Sequence, residues 1–274
     1  MKKYLKQSYF FLLVLYLIFS YVLTDPNLTL LNFAPFIKFQ NFLWQNILPN
    51  QNLRTAIFTI LMTLIFLNYA LIIKNFKELE LSSQKKLANY LLLLSLPLIL
   101  AYNALSYDVF NYIFNGKILV HYKANPHVKV ALDYPNDSWT RFMNNTHTAA
   151  PYGYGWTTIS VIPYILGLGK FLTTWISFKL FSLLAFFISL VVLTEILEKE
   201  KVKQRWQKMA ILFLNPLFLI EFLGNAHNDL WMIWPALLAI YYAKYRKRSF
   251  LIVLFSFILI SFSISIKFST ILLI

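Results

Sequence analysis

Apolar residues fall in long runs along this chain, separated by short clusters of lysine and arginine. About 20 helical residues cross the hydrocarbon core of a bilayer. By that measure the candidate spans are 8–24, 54–73, 87–103, 172–194, 209–223, 229–243 and 249–264. A further apolar stretch, 155–169, holds Pro163 and the glycines Gly155, Gly167 and Gly169. Positions 28–48 form a semi-apolar, aromatic-rich segment that suits the membrane interface. The pattern predicts an all-α polytopic membrane protein.

Composition agrees with this reading. Hydrophobic types make up 59% of the 274 residues and charged types 13%, against about 25% charged in a soluble domain. The formal charge of +14 sits mostly between apolar runs, where it reads as a topology signal and not as a nucleic-acid footprint. No cysteine is present, so disulfide and thiolate chemistry are excluded. The first apolar run lacks a small-residue cleavage site after it and reads as a retained span.

The basic clusters set an orientation. Lys2, Lys3 and Lys6 place the N-terminus in the cytoplasm, and the loop with Lys74, Lys77, Lys85 and Lys86 follows on the same side. The long segment 104–154 then lies outside. If 155–169 crossed, the cluster Lys199, Lys201, Lys203, Arg205 and Lys208 would fall outside and break the charge rule. The stretch is therefore read as re-entrant or interfacial, which irregular backbone tolerates where it lines a cavity. The polar sequence GNAHND (224–229) lands on the outer side with the long loop. The final stretch ISFSISIKFSTILLI has no polar tail, and we expect the chain to be a fragment or a short member of a larger class.

The outer loop carries the candidate chemistry. Asp108 follows the third span closely. It reads either as a helix cap or as a general base facing an aqueous cavity, where a carboxylate can take a proton from an attacking hydroxyl. Residues 107–121 suit a short amphipathic helix with Tyr107, Phe110, Phe114 and Leu119 toward the membrane. NPH (125–127) and DYP (133–135) read as turns. His121, His127 and His147 share the loop with Asp133 and Asp137, without the tight spacing of a metal motif. In AAPYGYGW (149–156), Pro151, Gly153 and Gly155 force a turn, with Tyr152, Tyr154 and Trp156 as interfacial or ligand-stacking aromatics. Glu221 lies deep in an apolar run, either as a functional group or as an internal ion-pair partner. His227 and Asp229 are two apart. They would diverge on a helix and share a cavity only in a turn.

The segments SYDVFNYIFNGKILVHYKANPH, APYGYGW and NPLFLIEFLGNAHND, in that order over residues 85–243, resemble the mannosyltransferase branch of the GT-C membrane glycosyltransferases. The resemblance implies a GT-C-like helical bundle with a large first catalytic outer loop containing interfacial helices. It divides the chain into 1–84, N-terminal membrane helices and an interfacial segment, and 85–274, a core including outer loop 104–154. It makes Asp108 the catalytic base. NPH is similar to the family's NPY, with His127 for tyrosine, and PYGYGW to PYGPLW, with Tyr154 for proline. Asn225, His227 and Asp229 would border the cavity, with Glu221 one helical turn before Asn225.

The implied reaction is inverting transfer of a hexose such as mannose from a polyprenyl-phosphate sugar to a glycan or glycolipid acceptor, at the outer face of the cytoplasmic membrane. Lys117, Lys123, His127, Arg141 and Lys267 are candidates to stabilise the leaving phosphate. Asn111, Tyr152, His227 and Asp229 are candidates to bind the sugar. Relatives of this fold admit a divalent metal, which nothing in the sequence demands. The rival readings are a flippase or transporter for a lipid-linked saccharide, which would show internal repeats, and a non-catalytic scaffold. No duplication between the halves is visible.

Overall fold

The computed structural model describes residues 4–24, 33–247 and 249–273. Lys2 and Lys3, and the part of the 28–48 segment before residue 33, lie outside the described residues. Among those described there are eleven α-helices and no strand: α1 (Leu5–Val22), α2 (Ala34–Asn46), α3 (Gln51–Lys74), α4 (Gln84–Leu100), α5 (Asp108–Val120), α6 (Tyr154–Leu166), α7 (Phe171–Lys199), α8 (Arg205–Phe213), α9 (Pro216–Leu219), α10 (Asp229–Tyr245) and α11 (Phe250–Ile266). The expected all-α membrane architecture is present. α1, α3 and α7 are long and apolar enough to cross a bilayer. α4, α10 and α11 have 17 residues each, about 25 Å at the helical rise of about 1.5 Å per residue.

Local chemistry fixes the helix ends. Asn50, Ser83 and Ser249 each accept a backbone N–H from the first turn of the helix they precede, satisfying a donor that has no intrahelical partner. Ser83 starts α4 at Gln84, three residues before the apolar run. The run read as one span over 209–223 is broken at Asn215–Pro216. Pro216 has no N–H to continue the helix, and the Asn215 side chain caps the new one. The pieces are bent by 57° and end in a π-helical turn, Ile220–Gly224. α6 has 13 residues, about 20 Å.

The chain forms two compact units, each discontinuous in sequence. The first comprises 1–105 and 206–224, the second 106–205 and 225–274. In the first, α1 packs on α3 and α4. Tyr9, Tyr21 and Tyr69 donate their hydroxyls to the carbonyls of Leu214, Leu100 and Ile211. These acceptors lie at helix ends or at the break in 209–223, where carbonyls lack intrahelical partners. Lys6 donates to the Leu79 carbonyl.

In the second unit, α6 packs on α5, α7 and α11, and α10 packs on α7 and α11. Phe181 of α7 stacks on Trp231 of α10 with ring centroids 3.9 Å apart. The long loop is built onto α5 as expected, but the burial of that helix differs from expectation. Phe110 and Phe114, expected to face the membrane, are 1% exposed. Phe110 meets Phe142 and Phe171, and Phe114 meets Tyr134. The loop folds back over the helix and supplies the apolar cover expected from lipid.

Candidate active site

Asp108 is the first residue of α5. A carboxylate is favoured there by the positive end of the helix dipole. Its Oδ2 accepts the Tyr152 hydroxyl at 2.8 Å, and the Tyr112 hydroxyl reaches the same atom at 3.5 Å. His227 Nδ1 lies 3.8 Å from that oxygen. The hydrogen bonds and the ion pair all fall on Oδ2, and the side chain is 28% exposed.

Tyr152 is held by its own neighbours. It meets Tyr112 edge-on at 5.5 Å, and the Lys267 ammonium sits 4.9 Å above its ring. Burial, followed by the charge and hydrogen bond of Asp108, pushes its phenol up to about 12 against an opposing hydrogen bond with Tyr112. The phenol therefore keeps its proton at neutral pH and remains a donor to Asp108.

GNAHND is a turn, and its backbone explains how two polar residues share one side. Ala226 is left-handed, φ 58°, a strained setting for a residue with a Cβ. α10 then begins at Asp229. His227 Nδ1 stands 4.0 Å from Asp229 Oδ2, and Lys267 Nζ pairs with Asp229 Oδ1 at 2.6 Å. Asp108, Tyr152, His227, Asp229 and Lys267 thus form one cluster at the amino ends of α5 and α10, just ahead of α6.

The glycines of PYGYGW bring Lys267 in. The Gly153 N–H donates to the Ile266 carbonyl at 3.0 Å. A Cβ at Gly153 or Gly155 would stand 2.9 Å from the carbonyl carbon of Ser265, well inside the carbon–carbon contact distance of about 3.5–4.0 Å. Only glycine lets the start of α6 touch the end of α11, and Lys267 is the next residue after that helix.

The remaining predicted residues divide. Asn111 lies on α5 with a buried Oδ1 that has no hydrogen-bond partner, so it is free to accept from a hydroxyl. Asn225 is fully buried beside the cluster's turn. His127 Nε2 is 2.9 Å from Thr157 Oγ1, and its ring lies 4.0 Å from that of Tyr154, which is 65% exposed. The NPH turn closes as Asn125 Oδ1 accepts the His127 N–H.

Lys117 is engaged elsewhere. It pairs with Asp137 at 2.6 Å and lies 3.9 Å over the Trp139 ring. Burial raises the Asp137 carboxyl, but hydrogen bonds from Lys117, the Trp139 N–H and Tyr122 outweigh it and hold the group below the usual carboxylate range. Lys123 has left-handed backbone in the exposed loop. Arg141 is exposed and lies over Phe142. Glu221 belongs to the π-helical turn of the first unit. Among the described residues, no group of three or more His, Asp or Glu is placed to hold a metal ion.

A family profile described as the N-terminal domain of alpha-(1->6)-mannopyranosyltransferases, the MptA_B family, matches residues 29–274. The chain belongs to this family. No curated protein and no solved structure matches it. It is a membrane mannosyltransferase of the GT-C type, with a sugar donor and an acceptor as its substrates.

Sequence reasoning missed one member of this mannosyltransferase's cluster. Tyr112 lies one helical turn after Asp108, a spacing that puts both on one face. Asn228, one of the polar residues that set GNAHND apart in the sequence, is fully buried, and neither its Oδ1 nor its Nδ2 has a partner.

Proposed function

We propose that this mannosyltransferase transfers mannose with inversion from a polyprenyl-phosphate donor to a glycan or glycolipid acceptor, with Asp108 as general base. The observation that carries the reading is the position of Asp108. One of its oxygens is anchored by Tyr152, the side chain is partly exposed, and His227, Asp229 and Lys267 share its cluster. The carboxylate takes the proton of the acceptor hydroxyl. The acceptor oxygen bonds to the anomeric carbon, the bond from that carbon to the phosphate oxygen breaks, and polyprenyl phosphate leaves. Lys267, which pairs with Asp229 inside the cluster, is the proposed partner for the phosphate's charge, while Lys117 pairs with Asp137 in the loop. Lys123, His127 and Arg141 are proposed contacts for the headgroup, and Asn111, Tyr152, Tyr154, Asn225, His227 and Asp229 for the sugar. Glu221 is kept as a cavity-border group.

The proposed orientation puts the N-terminus in the cytoplasm and the Asp108 cluster outside, with 1–84 as added membrane helices on a core of 85–274. The length of α6 supports this reading. About 20 Å of helix falls short of a hydrocarbon core of about 30 Å, so α6 need not be counted as a crossing. An outer site also fits the donor, because lipid-linked sugars serve where nucleotide sugars are absent.

The test offers purified protein a panel of polyprenyl-phosphate sugars and compares wild type with Asp108→Asn. The variant keeps the shape and cannot accept the proton. A loss of about 10²–10⁴-fold in transfer is expected. Equal rates in the two proteins would remove Asp108 from the role of base.

A further inference from the structure

The first unit carries two cavities whose lining residues have no part in the transfer reaction proposed above. Between the last turn of α1 and the first turns of α3 lies a cavity of about 360 Å³, lined in part by Thr24, Gln51, Arg54 and Thr55. A second groove of about 320 Å³ is walled by aliphatic side chains, among them Leu15, Leu43, Ile60 and Leu64. Phe19 and Leu23 line both, so a cup that holds the polar groups and an apolar groove adjoin along α1.

The cup is cationic. Arg54 stands on the first turn of α3, a helix apolar enough to span a membrane. Its Nε is buried and has no hydrogen-bond partner. A charged donor shielded from water without an acceptor is costly, so the site favours an anion that supplies one. Among the described residues, neither cavity is lined by a carboxylate.

We propose that these two cavities bind one anionic phospholipid of the surrounding membrane, of the phosphatidylglycerol class. The Arg54 guanidinium takes the phosphodiester as a fork of N–H donors. Thr24, Gln51 and Thr55 hydrogen-bond the headgroup hydroxyls, and an acyl chain lies in the groove between α1 and α3. One guanidinium matches the single charge of a phosphodiester, and among the described lining residues no acidic side chain is present to receive the ammonium of a zwitterionic headgroup.

Native mass spectrometry of the full chain in detergent tests this, using phosphatidylglycerol and phosphatidylcholine with identical acyl chains. Retention of phosphatidylglycerol is expected to exceed that of phosphatidylcholine by about tenfold, as fits a charge-assisted hydrogen bond. Arg54→Gln should abolish the preference, and Arg54→Lys should keep part of it. Ile60→Trp, at a largely exposed position, should fill the groove and weaken both lipids while leaving the preference intact. The proposal is overturned if Arg54→Gln, still folded by its melting temperature, retains phosphatidylglycerol as wild type does. It is equally overturned if inorganic phosphate alone displaces the lipid, or if polyprenyl phosphate is held in preference to phosphatidylglycerol.

Discussion

Gly155→Ala adds one methyl group at the contact that places Lys267. The new Cβ would meet the Ser265 side chain and lie 2.9 Å from its carbonyl carbon. Carbon–carbon contacts need about 3.5–4.0 Å, so the start of α6 and the end of α11 must part by about 1 Å. Lys267 is two residues from Ser265. The shift would stretch its 2.6 Å pair with Asp229 and lift it from the Tyr152 ring. Overpacking costs about 1–3 kcal/mol, while exchanging glycine for alanine inside a helix returns at most about 1 kcal/mol. The fold should therefore survive with a small loss of stability. Transfer is more sensitive, since a displacement of about 1 Å near the chemistry can cost about 10²-fold. The assay measures initial rates of mannosyl transfer in membranes, with thermal unfolding measured in parallel. A second change, Ser265→Gly, removes the side-chain part of the clash and should recover a portion of the lost rate. A Gly155→Ala protein as fast as wild type would refute the claim that this contact positions the site. So would a double variant no faster than the single one, if both remain folded.

Two further outcomes follow from charge and topology. The Asp137 carboxyl is held below its unfolded value, so its contribution is fully present above about pH 3.9 and is lost as pH falls through the folded value. Hydrogen exchange in loop 121–150 should stay slow down to the ordinary carboxylate range and quicken only below it. Lys117→Met should move that transition to higher pH, and an unmoved transition would deny the pair its role. The chain has no cysteine, so single cysteines report sidedness without background. With a membrane-impermeant maleimide on intact cells, Lys123→Cys should be labelled and Lys203→Cys should not. The reverse result would invert the proposed orientation.

Much of this protein is decided by residues close together in the chain. Apolar runs as long as a bilayer is thick must be helices, because hydrocarbon offers no partner for a free backbone group. The starts of α3, α4 and α11 follow from a single capping Asn or Ser, and the break at Pro216 from a missing N–H. Asp108 and GNAHND stood out because polar groups are rare in such surroundings. What no local signal could decide was which distant groups would meet. Tyr152 reaches Asp108 across 44 residues, and Lys267 reaches Asp229 across 38. The first contact depends on α6 packing against α5, and the second on α10 packing against α11. The long loop and the start of α7 bury Phe110 and Phe114, which by periodicity alone suited lipid. Lys117 and Lys267 look alike as candidate phosphate partners in sequence. Only the fold gives the first to Asp137 and the second to Asp229 and the Tyr152 ring, because a charge acts over the few ångströms that packing determines.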